Sequence, residues 1–192
     1  MKRYWPFGLA LLLLLDGIVL FWWLRRKPEQ RFDSYILTAA RRYEVEPSLI
    51  KAVIWQESRF DPQARGRAGE IGLMQIRSLA AKEWAQAERA PELTAENLAH
   101  PSTNIHIGAW YLAKLLRRYS KTDNSIPYAL ADYNAGRTHV LRWSQGAGLT
   151  NSAVFLQQMD FPGTQRYIAA VLERQKHYRF SLAEPYQKLG KR

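Results

Sequence analysis

The chain has no cysteine among its 192 residues. Disulfide frameworks, thiolate zinc sites and cysteine nucleophiles are therefore excluded. Histidine is scarce: His100, His106, His139 and His177 are the four, and none forms a His-Glu-x-x-His pair or another metal spacing. No metal and no cofactor is expected. Acid is in deficit, with 17 Asp and Glu against 28 Lys and Arg, a net charge of +11. Residues 1–27 hold five Lys or Arg and one Asp, so +7 remains without them. A basic domain attracts polyanions such as nucleic acid, anionic lipid or an acidic wall polymer. The basic residues are scattered, however, from Arg41-Arg42 through Arg65, Arg67 and Arg117-Arg118 to Arg174. Without a helix-turn-helix pattern or a basic block, a generally basic, solvated surface is expected, and no nucleic-acid partner.

Long apolar runs are absent after residue 27, but one precedes it. Residues 5–24 read W-P-F-G-L-A-L-L-L-L-L-D-G-I-V-L-F-W-W-L, with the single charge Asp16. Twenty such residues match the thickness of a bilayer as a helix. Asp16 opposes insertion by roughly 2.5–3.5 kcal/mol, which the Leu, Ile, Val and Phe residues outweigh at roughly 0.5 kcal/mol each. Trp5 and Trp22-Trp23 sit where an aromatic belt forms. Bulky Phe21-Trp22-Trp23 occupies the place of a small-x-small cleavage site, so an uncleaved anchor is expected rather than a removed signal. Lys2 and Arg3 before the span nearly balance Arg25, Arg26 and Lys27 after it, which leaves orientation unset by charge. The expected organisation is an anchor at 1–27, a linker at 28–32, a domain at 33–180 and a polar tail at 181–192.

The alternation of a sheet-rich domain is also missing. Helical periodicity runs through the soluble part instead, predicting an all-α domain. Helices are predicted from Asp33 or Ser34 to Tyr43, from Pro47 to Ser58, and from Leu73 to Gln86. After a loop at 87–101, Ser102 is predicted to cap a long helix, followed by one from Ser125 to Ala135 and a short element at 138–144. Residues 145–151 are Gly-rich and predicted mobile. Helices at 153–158 and 164–178 close the domain.

Chemistry concentrates between Trp55 and Ile76. Glu57 extends the apolar stripe Leu49, Ile50, Val53, Ile54, so its helix buries it. It also lies in the last helical turn, where the dipole is negative. Both effects disfavour the carboxylate and raise its pKa. A carboxylic acid still protonated near neutral pH suits glycosidic cleavage, which must protonate the leaving oxygen as the bond breaks. A structural glutamate capping a loop amide or pairing with an arginine fits this stretch as well.

What glycosidases usually have and this chain lacks is an obvious second carboxylate. Asp61 precedes Pro62 and reads as a turn residue. Glu70 sits between glycine and isoleucine on an exposed-looking loop. Asp132 precedes Tyr133-Asn134 and can face either way, and Asp160 is the fourth candidate. None reads as a nucleophile. Either a weakly placed partner activates water, or the substrate supplies its own nucleophile.

Glu57-Ser58, Pro62, Ala64, Gly69 and Gly72-Leu73-Met74-Gln75 resemble the signature of the soluble lytic transglycosylases, which share the goose-type lysozyme fold. Asn104-Ile105, Gly108 and Tyr111-Leu112 are similar to that family's N-I-x-x-G-x-x-Y-L helix. Ala131 to Gly136 is similar to its A-Y-N-A-G motif, and Thr164, Tyr167 and Ile168 to its final E-T-x-x-Y-V motif. Four motifs in order span about residues 33–180. The resemblance implies a lysozyme-like single globular domain that cleaves the MurNAc–GlcNAc β-1,4 bond of peptidoglycan without water. The sugar's own 6-hydroxyl attacks, leaving a 1,6-anhydro-muramyl end. It implies that Glu57 is the single acid, then base. Ser58, Met74, Gln75, Tyr133, Asn134 and Tyr167 become substrate-site residues, with Tyr133 bonding or positioning Glu57, Met74 and Gln75 lining sugar subsites, and Tyr167 closing the wall. Met74 also fits as core filler, and Tyr133-Asn134 as a helix end before Gly136.

The chain departs from the family pattern at Ser78 and Ala80, at Glu70 where a small residue is common, at Asp132, and at Gly163 where glutamate is usual. The expected partners are peptidoglycan glycan strands, the cytoplasmic membrane through residues 5–24, and proteins of the envelope machinery. The expected location is the bacterial inner membrane, single-pass, with the domain facing the periplasm or wall. Two other readings stay open: a hydrolytic muramidase using Asp132, and a non-catalytic wall-binding or assembly module.

Overall fold

The computed structural model describes residues 16–17 and 29–189. The anchor expected at 5–24 therefore lies outside the described residues except for Asp16 and Gly17. Among the described residues no helix is long and apolar enough to cross a membrane. The chain divides into two compact units, Met1–Asp33 and Ser34–Arg192, and the second carries every expected site residue.

The helices are α1 (Asp33–Tyr43), α2 (Pro47–Ser58), α3 (Ser78–Glu88), α4 (Ala95–Ala99), α5 (Pro101–Arg118), α6 (Ser125–Ala135), α7 (Arg137–Trp143), α8 (Ser152–Gln158) and α9 (Pro162–Leu189). A 3-10 turn at Gly146–Leu149 joins α7 to α8. The described residues contain no strand, only isolated bridges at Arg65–Ile71 and Ile71–Ile76. The predicted all-α class is what these residues adopt.

α2 is the axis of the domain. Pro47 opens it, where a missing N–H leaves no bond unmade. Leu49, Ile50, Val53 and Ile54 are almost wholly buried, each stabilising the fold by roughly 1.5–3 kcal/mol. α9 lies along α2, and its buried Tyr167, Ile168, Val171, Gln175, Tyr178 and Leu182 recur at helical spacing. Arg59 ends α2 in a left-handed conformation (φ 54°), which turns the chain sharply just after Glu57.

Several sequence expectations are corrected. The third helix begins at Ser78, not Leu73. Residues 71–76 form a tight turn instead, closed by Ile71 N–H to Ile76 O (3.0 Å) and Ile76 N–H to Ile71 O (2.9 Å). Gly72 (φ 79°) and Gln75 (φ 48°) take left-handed angles that no α-helix accommodates. The loop predicted at 87–101 contains α4, started by a capping box in which Thr94 Oγ1 accepts from Asn97 N–H (3.2 Å). α5 starts at Pro101, so Ser102 is inside the helix rather than its cap. Residues 145–151 are tied down rather than loose: Tyr128 Oη donates to the Gly148 carbonyl (2.8 Å) and Asp123 N–H to that of Thr150 (2.9 Å). α9 continues past Tyr178 to Leu189, because Leu182 extends its buried stripe.

One buried side chain fastens the site loop to the core. Asn104, in the first turn of α5, is fully buried. Its Oδ1 accepts from Met74 N–H (2.7 Å), and its Nδ2 donates to the carbonyls of Ile71 (2.8 Å) and Leu98 (2.7 Å). Gly72 allows this closeness, since a Cβ there would stand 2.5 Å from Asn104 Nδ2. One turn on, Gly108 leaves room for Met74, whose Sδ would be 2.3 Å from a Cβ at that position.

Candidate active site

Glu57 opens onto a cleft of about 310 Å³ whose walls include Glu70, Gln75, Arg77, Leu79, Glu83, Tyr111, Asp132, Tyr133 and Asn134. α2 supplies Glu57, the 64–76 loop Glu70 and Gln75, α5 Tyr111, and α6 Asp132 to Asn134. A shallower groove lined by Gln56, Asn134, Phe161, Thr164 and Tyr167 adjoins it through Asn134.

Burial pushes the Glu57 carboxyl up to about 7; the Tyr167 hydroxyl pulls it down and the Glu70 charge pushes it up. Tyr167 donates from Oη to Glu57 Oε1 at 2.7 Å. Tyr133 does not bond Glu57. Its hydroxyl donates instead to the Met74 carbonyl (2.7 Å), which holds its ring beside Tyr111. Both tyrosines are held well above their usual range, by burial first and then by the Glu57 charge. They are donors here, not bases.

The other expected site residues divide. Gln75 lines the cleft; its Nε2 donates to the carbonyls of Gly72 (2.9 Å) and Ala64 (3.3 Å). These bonds offset its left-handed backbone, a conformation costing on the order of 1 kcal/mol. Its Oε1 is the acceptor that remains for a ligand. Asn134 lies exposed on the wall, with Oδ1 accepting from Thr164 Oγ1 (2.8 Å). Ser58 was expected to touch substrate, but its hydroxyl donates inward to the Leu73 carbonyl (2.8 Å). It ties the end of α2 to the loop. Met74 was expected to line a sugar subsite and is fully buried. Its side chain packs against Gly108, and the chain reversal at Gln75 sends the next residue, not Met74, into the cleft.

The second-carboxylate candidates also separate. Asp61 caps its own turn through Gln63 N–H (2.9 Å). Asp160 accepts from Trp143 Nε1 and Arg142, both at 2.6 Å, away from the cleft lining. Asp132 is buried and neutralised: Oδ2 accepts from Arg118 Nη1 and Tyr119 Oη, both at 2.6 Å. Two donors already engage that oxygen. Glu70, expected on an exposed loop, lines the cleft instead. Among the described residues no group of three or more His, Asp or Glu is placed to hold a metal.

Two contributors were missed from sequence. Asn104 was visible in its motif, but its loop partners Met74 and Ile71 are 30 and 33 residues away in the chain. Thr164 was visible likewise; its bond to Asn134 joins the start of α9 to the end of α6.

Tyr167→Phe removes a donor that favours the Glu57 carboxylate. The basic limb of the pH–rate profile should therefore move upward from about 7. A bond to a charged acceptor is worth roughly 1.5–3 kcal/mol and part of it persists with the neutral acid. The shift expected is on the order of one unit. Profiles of kcat/KM against pH check it, and a downward shift contradicts the assignment.

Comparisons with known proteins bear on the family and the fold. The family profile for the transglycosylase SLT domain matches residues 34–155. The soluble lytic murein transglycosylase of Escherichia coli (strain K12) is 30% identical over 162 residues, 81% of this chain and 25% of that protein. The membrane-bound lytic murein transglycosylase F of Desulfosudis oleivorans is 37% identical over 113 residues, 57% of this chain and 23% of that protein. A solved structure of an inactive mutant of lytic transglycosylase Slt from Pseudomonas aeruginosa superposes with a TM-score of 0.70 at 28% identity, over 78% of this chain and 24% of that one. This chain thus spans about a quarter of the length of these relatives. With a profile match across most of its length and a shared helical architecture, the chain belongs to the transglycosylase SLT domain family.

Proposed function

We propose that this protein is a membrane-anchored lytic transglycosylase of peptidoglycan. It cleaves the MurNAc–GlcNAc β-1,4 bond and leaves a 1,6-anhydro-muramyl end, with Glu57 serving as acid and then as base. The observation that carries this reading is an acid raised to about 7 on a cleft wall while Asp61, Asp132 and Asp160 are engaged elsewhere. The names of the relatives, lytic murein transglycosylases, agree with it.

In this mechanism Glu57 donates its proton to the leaving O4 as the C1–O4 bond breaks. Positive charge develops at C1 of the muramyl ring, and the new Glu57 carboxylate faces it. The 6-hydroxyl oxygen then bonds to C1 and its proton passes to Glu57. One carboxyl is regenerated and no water is consumed. Tyr167 keeps the donor to Glu57 in both protonation states. Gln75 and Asn134 offer amides to sugar hydroxyls and acetamido groups.

Residues 5–24 anchor the chain in the inner membrane, the linker at 28–32 leads out, and the domain at 33–180 faces the periplasm or wall, where peptidoglycan lies. Envelope-machinery proteins are its partners there. The test is mass spectrometry of muropeptides released from purified peptidoglycan. Anhydro-muramyl ends are expected from the wild type. Reducing ends alone would mean a muramidase, and no release would mean a binding module.

A further inference from the structure

Glu70 is fixed against the cleft wall from several sides. Arg65 pairs with Ile71 across a small hairpin, and Gly66 N–H donates to the Glu70 carbonyl (2.9 Å). Its Oε2 accepts from Ala68 N–H (3.0 Å), and its Oε1 meets Arg77 Nε (3.2 Å). The carboxylate lies over Gly66: a Cβ at that position would stand 2.2 Å from Glu70 Oε2 and 2.9 Å from Gln75 Oε1. The loop thus leaves room for this one carboxylate beside a cleft amide.

We infer that Glu70, tempered by Arg77, is a positioning residue that holds the proton on Glu57 until the glycosidic oxygen takes it. This rests on the acid role assigned to Glu57 above. Two carboxylates on one cleft resist simultaneous ionisation. The other charges of the cleft are compensated by their own partners: Glu83 by Lys114 (2.6 Å) and Asp132 by Arg118 (2.6 Å). Arg59 and Arg174 stack on Trp55. Tyr167 and Tyr133, facing Glu57 from α9 and α6, stay neutral. Glu70 shares the cleft lining with Glu57 and is the charge that raises it. Arg77 neutralises it incompletely, because the Arg77 side chain is 64% exposed and solvent screens the pair. Arg77 therefore acts on Glu57 through Glu70, by tempering the charge that raises its proton affinity.

The test measures Glu57 directly, by carbon-13 NMR titration of its side-chain carboxyl in wild type, Glu70→Gln and Arg77→Gln. Its kinetic counterpart is kcat/KM against pH on peptidoglycan. Glu70→Gln should lower the Glu57 midpoint by about half a pH unit. Kinetically the fall in kcat/KM between pH 5 and pH 8 should be roughly threefold larger in the variant than in the wild type. Arg77→Gln should move the midpoint upward, and the double variant should follow Glu70→Gln. Midpoints unchanged in both single variants, or moved in the same direction, overturn the inference. Circular dichroism of each variant separates this from misfolding. If wild type releases no anhydro products, the proposed function fails on its own; the NMR midpoints still decide the role of Glu70.

Discussion

Glu57→Gln should abolish lytic activity while making the protein more stable above neutral pH. The amide cannot donate a proton to the leaving oxygen, and general acid catalysis contributes roughly 10²- to 10⁴-fold. Sugar binding should persist, because Gln75 and Asn134 remain on the wall. The stability gain has a definite pH dependence. The folded carboxyl is raised from the usual 4.5 to about 7. Below pH 4.5 both folded and unfolded states are protonated, and the site carries no penalty. As pH rises toward 7 the unfolded chain loses its proton first, so folding becomes less favourable. Above 7 the full penalty applies, roughly 3 kcal/mol at about 1.4 kcal/mol per unit. Glutamine does not ionise and escapes it. Melting temperatures of the two proteins should coincide near pH 4 and diverge through pH 7, with the variant higher. Equal melting curves at pH 8 would mean that Glu57 is not buried as an acid. Turnover by the variant within tenfold of wild type would remove it from the chemistry.

The part of this site that sequence makes legible is the part set by local periodicity. Glu57 continues a stripe of Leu49, Ile50, Val53 and Ile54, so its burial and its place at a helix end follow from counting by threes and fours. The extents of α1, α2 and α6 follow in the same way, and so does the buried stripe of α9 as far as Tyr178. What is not legible depends on contacts between distant segments. Gly72-Leu73-Met74-Gln75 looks like the start of a helix, and Met74 looks like a wall residue. Only the left-handed backbone at Gln75, stabilised by its own amide and by Asn104, reverses which side chain faces the cleft. Glu70 looks exposed because it sits in a Gly-rich loop; the pairing of Arg65 with Ile71 folds it inward. Tyr133 and Tyr167 are both visible as motif residues, but which of them reaches Glu57 is decided by the packing of α9 along α2. The expected anchor is the reverse case. It is read from composition alone and rests on residues 5–24.

Asn104→Ala should be the most destabilising of the single substitutions considered, with the site lost as a consequence. Asparagine suits this place because its amide carries one acceptor and two donors, and the pocket supplies one N–H and two carbonyls. Alanine leaves Met74 N–H and the Leu98 carbonyl without that partner at a fully buried position, while the Ile71 carbonyl keeps Ile76 N–H. Each buried group left unpaired costs roughly 1–3 kcal/mol. A loss of about 3 kcal/mol follows, or roughly 10 °C in melting temperature for a domain of this size. Asn104→Asp discriminates between volume and bonding. It keeps the shape and the acceptor for Met74 N–H but turns a carboxylate toward two carbonyls, so it should be at least as damaging as alanine at pH 8. It should recover partly near pH 4, where one oxygen is protonated and donates again. If aspartate were tolerated at pH 8, packing alone would explain Asn104, and the turn at 71–76 would need another anchor. Loss of that turn frees Gln75 from its left-handed angle and Glu70 from its hairpin. Activity should therefore fall in the alanine variant even at temperatures where the domain is still folded. A residue that never touches substrate then sets the geometry of the two that line the cleft.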